Sequence, residues 1–331
     1  MYVELFCCQT GGTLILFCHM RLKDLLQWAA ETLGKHNDET PRLDAEVLLS
    51  HATKRDRLQL YLDLNETADS KSESYYRTLI EKRSAHMPVS YLTGHKEFMS
   101  LDFVVNQSVL IPRPETEILV ETVSKLGKAG SRVLELGTGS GAIAVSLARY
   151  NNDWRIVATD VSMEALLIAR KNACFHGVME RVSFLQADLF SAFPKRSEEE
   201  RERKEEGGES KEVEEREAQC STSSVLCSFD WVVSNPPYIP TRDLADLSIG
   251  IRDYEPMLAL DGGSDGLDVI RRIIAEGYIL LKLGGRLAME IGYGQSEDIQ
   301  KIVDETGKYS DYSLVKDYSG IPRIFHCARF R

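Results

Sequence analysis

The sequence predicts a two-part α/β chain, a small helical domain followed by a parallel sheet covered on both faces. Three observations predict it. Residues 20–95 carry apolar positions at helical spacing and no strand-like run. From Ser131 onward short apolar runs alternate with amphipathic stretches, the order βαβα. Hydrophobic residues make up 43% and charged residues 27%, ordinary for a soluble globular protein and enough for a sizeable core.

The elements follow in order. Leu22, Leu25, Leu26, Ala29, Ala30 and Leu33 recur three and four residues apart, and Gly34 ends that first helix. Thr40 and Pro41 read as an N-cap with proline at the first helical position, and Leu43, Val47, Leu48 and Ala52 continue the second helix. Further helices are expected over 57–64 and 70–86, the latter with Tyr76, Leu79, Ile80 and Arg83 on one face. Residues 97–111 change character: Phe98, Leu101, Phe103, Val105, Val109 and Leu110 are apolar, and Asn106-Gln107-Ser108 interrupts them like a turn. This is read as a β-hairpin linker over 96–112. Strands are then expected at 132–136, 155–159, 182–186, 229–234 and 286–291, with helices at 141–150 and 163–175.

Two segments stand apart. Residues 195–219 hold eleven Glu against seven Lys and Arg, with Val213 as the one aliphatic residue larger than alanine. That composition cannot bury enough apolar surface to offset chain entropy, so it reads as a charged surface insertion between two strands. Residues 1–19 are apolar but lack a positive n-region, so they make a poor signal peptide; Met20 is the expected natural start, with 1–19 as an extension.

Composition excludes several classes. No apolar run approaches the roughly 20 residues of a membrane-spanning helix. The net charge of -11 argues against a general nucleic-acid binder. The seven cysteines are odd in number and none form a C-x-x-C pair, and the histidines are scattered, so neither disulfide framework nor metal site is expected and the thiols read as reduced and cytoplasmic.

Two motifs carry chemistry. Gly137, Thr138, Gly139, Ser140 and Gly141 follow a strand and open a helix, where glycine lets the backbone approach a ligand and the helix terminus offers free N–H groups. Asp160, 23 positions after Gly137 at the end of the next strand, suits ribose hydroxyls. Gly137, Gly139 and Ala142 fit the dinucleotide pattern, while Gly137, Gly139 and Gly141 fit the pattern of S-adenosylmethionine sites, so the loop alone leaves both open. The second motif decides for the latter. The strand at 229–234 runs into Asn235-Pro236-Pro237-Tyr238 at the ligand edge of the sheet. The Asn235 carbonyl and the Pro236 carbonyl are two acceptors beside an aromatic face, a socket for a planar group bearing NH2, whether a carboxamide or an exocyclic base amine.

With these residues in hand, residues 20–331 resemble the HemK/PrmC family of protein-glutamine methyltransferases. The resemblance rests on Ile111-Pro112-Arg113-Pro114-Glu115-Thr116-Glu117, the glycine loop, Asp160, Asp188-Leu189-Phe190, Asn235–Tyr238, Tyr254-Glu255-Pro256 and the run from Gly262 to Leu267. It implies a Rossmann-like fold with a seven-stranded, mostly parallel sheet over 113–331. It also implies a substrate-recognising helical domain over 20–95. The implied reaction is methylation of the side-chain amide of the glutamine in the Gly-Gly-Gln loop of peptide-chain release factors, with S-adenosylmethionine as cofactor. The resemblance implies that Gly137–Gly141, Asp160, the backbone at Leu189, and Asn235 hold that cofactor. Asn235, Pro236, Pro237 and Tyr238 hold the substrate glutamine, with Asn235 and Pro236 as positioning groups and Tyr238 packed on its plane. Rival readings are an amino-methyltransferase acting on a ribosomal-protein glutamine or an adenine base, and a non-catalytic interaction protein that docks through the charged segment.

Overall fold

The computed structural model describes residues 20–36, 39–193 and 228–330. The extension 1–19 and the charged segment 195–219 lie outside the described residues. The chain divides into two compact units, one ending at Gly94 and including Ile249–Tyr254, the other comprising His95–Ser248 and Glu255–Arg331.

The first unit is helical: α1 (Leu22–Gly34), α2 (Pro41–Thr53), α3 (Arg57–Leu62), α4 (Ser70–Ser84) and α5 (Val89–Thr93). Leu22, Leu25, Leu26, Ala29 and Leu33 of α1 meet Ala45, Leu48 and Leu49 of α2 and Tyr76, Leu79 and Ile80 of α4 in one buried cluster. Each fully buried leucine contributes roughly 1.5–3 kcal/mol. Pro41 opens α2 as expected, but the Thr40 side chain does not cap it; its hydroxyl donates to Asp44 Oδ1 at 3.0 Å. Asp56 and Asp69 cap α3 and α4 through their carboxylates. The short segment Ile249–Tyr254, read from sequence as part of the second domain, packs in this unit instead. The Tyr254 hydroxyl donates to the Ala85 carbonyl at 2.7 Å, and a Cβ on Gly250 would lie 3.0 Å from the His86 carbonyl oxygen, a tight approach that glycine relieves.

The second unit opens with a hairpin of β1 (His95–Phe98) and β2 (Leu101–Val104). Its turn is Met99-Ser100, both with positive φ (52° and 54°), the twist a two-residue hairpin requires. The turn expected at 106–108 is real, since Asn106 Oδ1 accepts from Ser108 N, but it does not join two strands. Nor is the hairpin a free linker. Phe98 and Phe103 are fully buried in the core of this unit, and the backbone N–H and carbonyl of Val104 both bond the Asn172 side chain.

After α6 (Pro114–Leu126) come β3 (Arg132–Leu136), α7 (Ala142–Tyr150), β4 (Arg155–Asp160), α8 (Met163–Phe175), β5 (Val182–Gln186) and β6 (Phe229–Ser234). Then follow α9 (Ile249–Arg252, packed with the helical unit), α10 (Asp268–Gly277), β7 (Leu281–Glu290), α11 (Ser296–Thr306), β8 (Tyr309–Lys316) and β9 (Pro322–Arg329). The sheet has seven strands in the order β5-β4-β3-β6-β7-β9-β8. The first five are parallel; β9 and β8 run antiparallel at the edge. Adjacent residues feed opposite faces: Val133, Val233 and Ala288 join α6, α7 and α8, while Leu134, Val232 and Leu287 join α10 and α11. Burial on both faces explains the near-continuous apolar strands. β7 starts five residues earlier than its apolar run suggested, because it continues through Gly284 and Gly285.

Candidate active site

The chain leaves β3 toward β4 on one side and later returns to β6 on the other, so the strand order reverses beside β3. Loops at that point part and leave a crevice beyond the C-terminal strand ends. There lies a cavity of about 690 Å³, within the range of small-molecule sites. Its lining includes Gly137, Thr138, Gly139, Ser140, Asp160, Leu189, Asn235 and Pro237, which the sequence placed far apart.

The glycine loop is held from both sides. The Thr138 N–H donates to the Thr159 carbonyl at 2.8 Å, and the Gly139 N–H to Asp160 Oδ2 at 2.8 Å. Gly141 does not line the cavity. It caps α7 with φ of 81°, and a Cβ there would come 3.0 Å from Ala169 Cβ, so glycine permits α7 and α8 to meet. Asn172, fully buried in α8, donates to the Ser140 carbonyl at 2.8 Å while holding Val104, and so ties the loop to the hairpin.

Asp160 closes β4. Its Oδ1 accepts from Ser162 N at 2.9 Å, and burial raises its pKa against those backbone bonds. Each carboxylate oxygen retains capacity to accept another bond. Leu189 adopts φ of 48°, a left-handed conformation that costs a residue with a Cβ about 1–2 kcal/mol. Strain of this kind collects at ligand sites. Beneath the loop, Glu135 is fully buried: Oε2 accepts from the Thr138 hydroxyl at 2.6 Å, and the Ala144 N–H in the first turn of α7 also acts on the carboxylate. Burial, aided by the neighbouring Asp160 charge, pushes its pKa up to about 8.

The acceptor side is built around Glu290, at the end of β7 and 1% exposed. Its Oε2 accepts from the Thr116 hydroxyl at 2.6 Å and its Oε1 from the Tyr238 hydroxyl at 3.0 Å. Burial raises the Glu290 pKa; the two hydroxyl bonds and Arg323 act against the rise, and Glu115 adds to it. Thr116 in turn accepts from Asn235 Nδ2 at 3.1 Å. Tyr238, expected to pack on a substrate plane, is thus turned to a buried carboxylate that needs donors, and its own pKa is raised by burial and by Glu290. Pro236 is buried and, like Tyr238, is not among the residues lining the cavity; Pro237 is. Arg113 borders the cavity and pairs with the buried Glu255 carboxylate, which also accepts from Ile111 N at 3.3 Å.

Thr116, Glu290, Asn172, Glu135 and Glu255 were not singled out as site residues from sequence. Thr116 and Glu255 lie within motifs that carry the family resemblance, while Glu290 is marked only as a charged residue after the apolar run Leu287-Ala288-Met289.

A parallel sheet extended by an antiparallel edge pair, with a glycine loop after β3 and Asn-Pro-Pro-Tyr after β6, defines a Rossmann-like methyltransferase. Residues 24–94 match the PrmC N-terminal domain, and residues 114–199 the methyltransferase small domain. A release factor glutamine methyltransferase from Moorella thermoacetica is 39% identical over 308 residues, covering 92% of this chain and 98% of that protein. Proteins of the same name from Geobacter sulfurreducens (36%, covering 92% and 95%) and Leptospira interrogans (37%, covering 91% and 95%) agree. The chain belongs to the release factor glutamine methyltransferase family.

Proposed function

We propose that the chain methylates the side-chain amide nitrogen of the glutamine in the Gly-Gly-Gln motif of peptide-chain release factors, with S-adenosylmethionine as cofactor. The observation that carries this reading is the Asn235 amide at the cavity. Its Nδ2 is engaged by Thr116, and its Oδ1 has no partner among the described residues and remains an acceptor.

The residues present fit the cofactor. The cavity has room for it, the glycine loop allows close approach, and Asp160 keeps carboxylate lone pairs for ribose hydroxyls. Leu189 lines the same cavity, where the adenine is expected to lie. When bound, S-adenosylmethionine supplies an electrophilic methyl group. An amide nitrogen is a poor nucleophile, because its lone pair is delocalised into its carbonyl. The protein's task is therefore alignment. Asn235 Oδ1 and the Pro236 carbonyl accept from the two amide protons of the glutamine, fixing the nitrogen and favouring the positive charge that develops on it. No side chain is assigned as general base. The helical unit, matched to the PrmC N-terminal domain, serves release-factor recognition. The net charge of -11 favours a protein over a nucleic-acid acceptor.

No described helix is long and apolar enough to cross a membrane, and the chain acts where release factors act, in the cytoplasm. The test is transfer of labelled methyl groups to purified release factor, a ribosomal protein and DNA. Label should appear on the release factor and vanish when its Gly-Gly-Gln glutamine is replaced by alanine. Label on another acceptor alone overturns the reading.

A further inference from the structure

We infer that Thr116 and Glu290 are positioning residues that set which way the Asn235 amide faces, a role that rests on the acceptor function proposed for Asn235. The three belong to distant parts of the chain: Thr116 to the first turn of α6, Asn235 to the end of β6, Glu290 to the end of β7. The parallel register that pairs Ser234 with Met289 brings the last two side by side. The burial is deep, with Thr116 4% and Glu290 1% exposed.

The direction of each bond follows from donor and acceptor capacity. Ionised, Glu290 only accepts, and it takes one hydroxyl proton on each oxygen, from Thr116 and from Tyr238, bonds that oppose the rise burial imposes on its pKa. A threonine hydroxyl has a single proton. With that proton given to Glu290, Thr116 Oγ1 can only accept, so the Asn235 atom 3.1 Å away must be the NH2 group. The amide oxygen is then the atom left for a ligand. With the opposite amide orientation, an NH2 group would face the NH2 of the substrate, two donors opposed, and the acceptor would be lost. The Glu290–Thr116 pair thus selects the productive orientation through Asn235, with Thr116 bordering the same cavity.

Thr116→Val removes the hydroxyl at nearly constant volume, and Thr116→Ser restores it. Methylation of release factor by Thr116→Val should show kcat lowered about 10–100-fold, with cofactor affinity by calorimetry within twofold of the parent chain. Thr116→Ser should recover most of the rate. In an Asn235→Ala background, Thr116→Val should cost little more, because its effect passes through Asn235. Glu290→Met removes both acceptor oxygens at similar side-chain length, provides a second probe should the valine variant fold poorly, and should lower kcat in the same way. Unchanged kcat in both variants, or an undiminished effect of Thr116→Val when Asn235 is absent, overturns the inference. A parent chain that labels no release factor would instead sink the functional reading. The orientation is then still read in nitrogen-15 spectra. The Asn235 side-chain NH2 should be one fixed, slowly exchanging pair that Thr116→Val releases, and a pair unaffected by the substitution overturns the inference.

Discussion

Asp160 accepts the Gly139 N–H at 2.8 Å through Oδ2 and the Ser162 N–H at 2.9 Å through Oδ1. One carboxylate at the end of β4 therefore shapes the glycine loop of β3 and the entry to α8. Asp160 also lines the cavity. A structural role and a ligand role coincide in one side chain.

Two substitutions separate those roles. Asp160→Ala removes both acceptors and should lower stability and cofactor affinity together. Asp160→Asn keeps an acceptor for one backbone N–H but loses the charge. It should melt closer to the parent chain while still binding S-adenosylmethionine more weakly by about 1.5–3 kcal/mol, the range for bonds to charged groups. Calorimetry and thermal melts of both variants check this. Parent-like affinity in the asparagine variant would place the ribose elsewhere.

Asn172 connects three segments through its one amide: Val104 N to Oδ1 at 2.8 Å, and Nδ2 to the carbonyls of Val104 (3.0 Å) and Ser140 (2.8 Å). Asn172→Leu fills similar space without those bonds and leaves buried backbone groups unpaired, each costing about 1–3 kcal/mol. A fall in unfolding free energy of about 2–4 kcal/mol is expected in urea titrations, together with weaker cofactor binding as the Ser140 turn loosens. A variant as stable as the parent would mean that the hairpin and loop hold their places without Asn172.

The pattern of what was legible follows from locality. The strands β3, β4 and β6 are largely apolar runs in the interior of the sheet, and the glycine loop, Asp160 and Asn235 sit directly at their ends, so each could be placed by counting along the chain. Asn172, Thr116 and Glu290 are different. Thr116 and Glu290 are separated by 174 positions and Val104 and Asn172 by 68, and a single polar residue carries no mark of a partner that distant. The edge strand β8 was not placed from sequence because six of its eight residues are polar or charged or face solvent, and its pairing with β9 defines it rather than its composition. The hairpin turn was misplaced because Met99-Ser100 adopts a left-handed pair of conformations that Asn-Gly or Asp-Gly ordinarily signals.

Asn235→Ala should leave cofactor affinity close to that of the parent chain while lowering the methylation rate on the order of 10²–10³-fold, by analogy with removing one preorganised group that stabilises developing charge. The loss concerns alignment, so kcat should fall along with kcat/KM. Removing the amide also leaves the Thr116 oxygen without its donor, a modest cost to stability that circular dichroism and melting would register. Single-turnover methylation corrected for folded fraction is the decisive measurement; a folded variant with parent turnover takes Asn235 out of the mechanism.

Glu135 gives a prediction about pH. Its carboxyl is fully buried, and that burial, with the Asp160 charge, outweighs the Thr138 and Ala144 hydrogen bonds and pushes its pKa from 4.5 up to about 8. Below pH 4.5 both folded and unfolded chains hold the proton, and ionisation costs the fold nothing. Between pH 4.5 and 8 the unfolded chain has released it and the folded chain retains it. The unfolded state then binds fewer protons, so stability falls as pH rises. The limiting slope is about 1.4 kcal/mol per pH unit from this one group. Above pH 8 both states are ionised and the penalty is constant. Glu135→Gln keeps an acceptor for Thr138 and cannot ionise. Other titrating groups are common to the two chains and cancel in the difference between them. Unfolding free energies in urea at pH 5, 6, 7 and 8 should therefore show the parent losing ground to the variant at each step. A difference that stays flat across that range would mean that Glu135 ionises in the fold as it does in the unfolded chain, and that the Thr138 and Ala144 donors offset its burial.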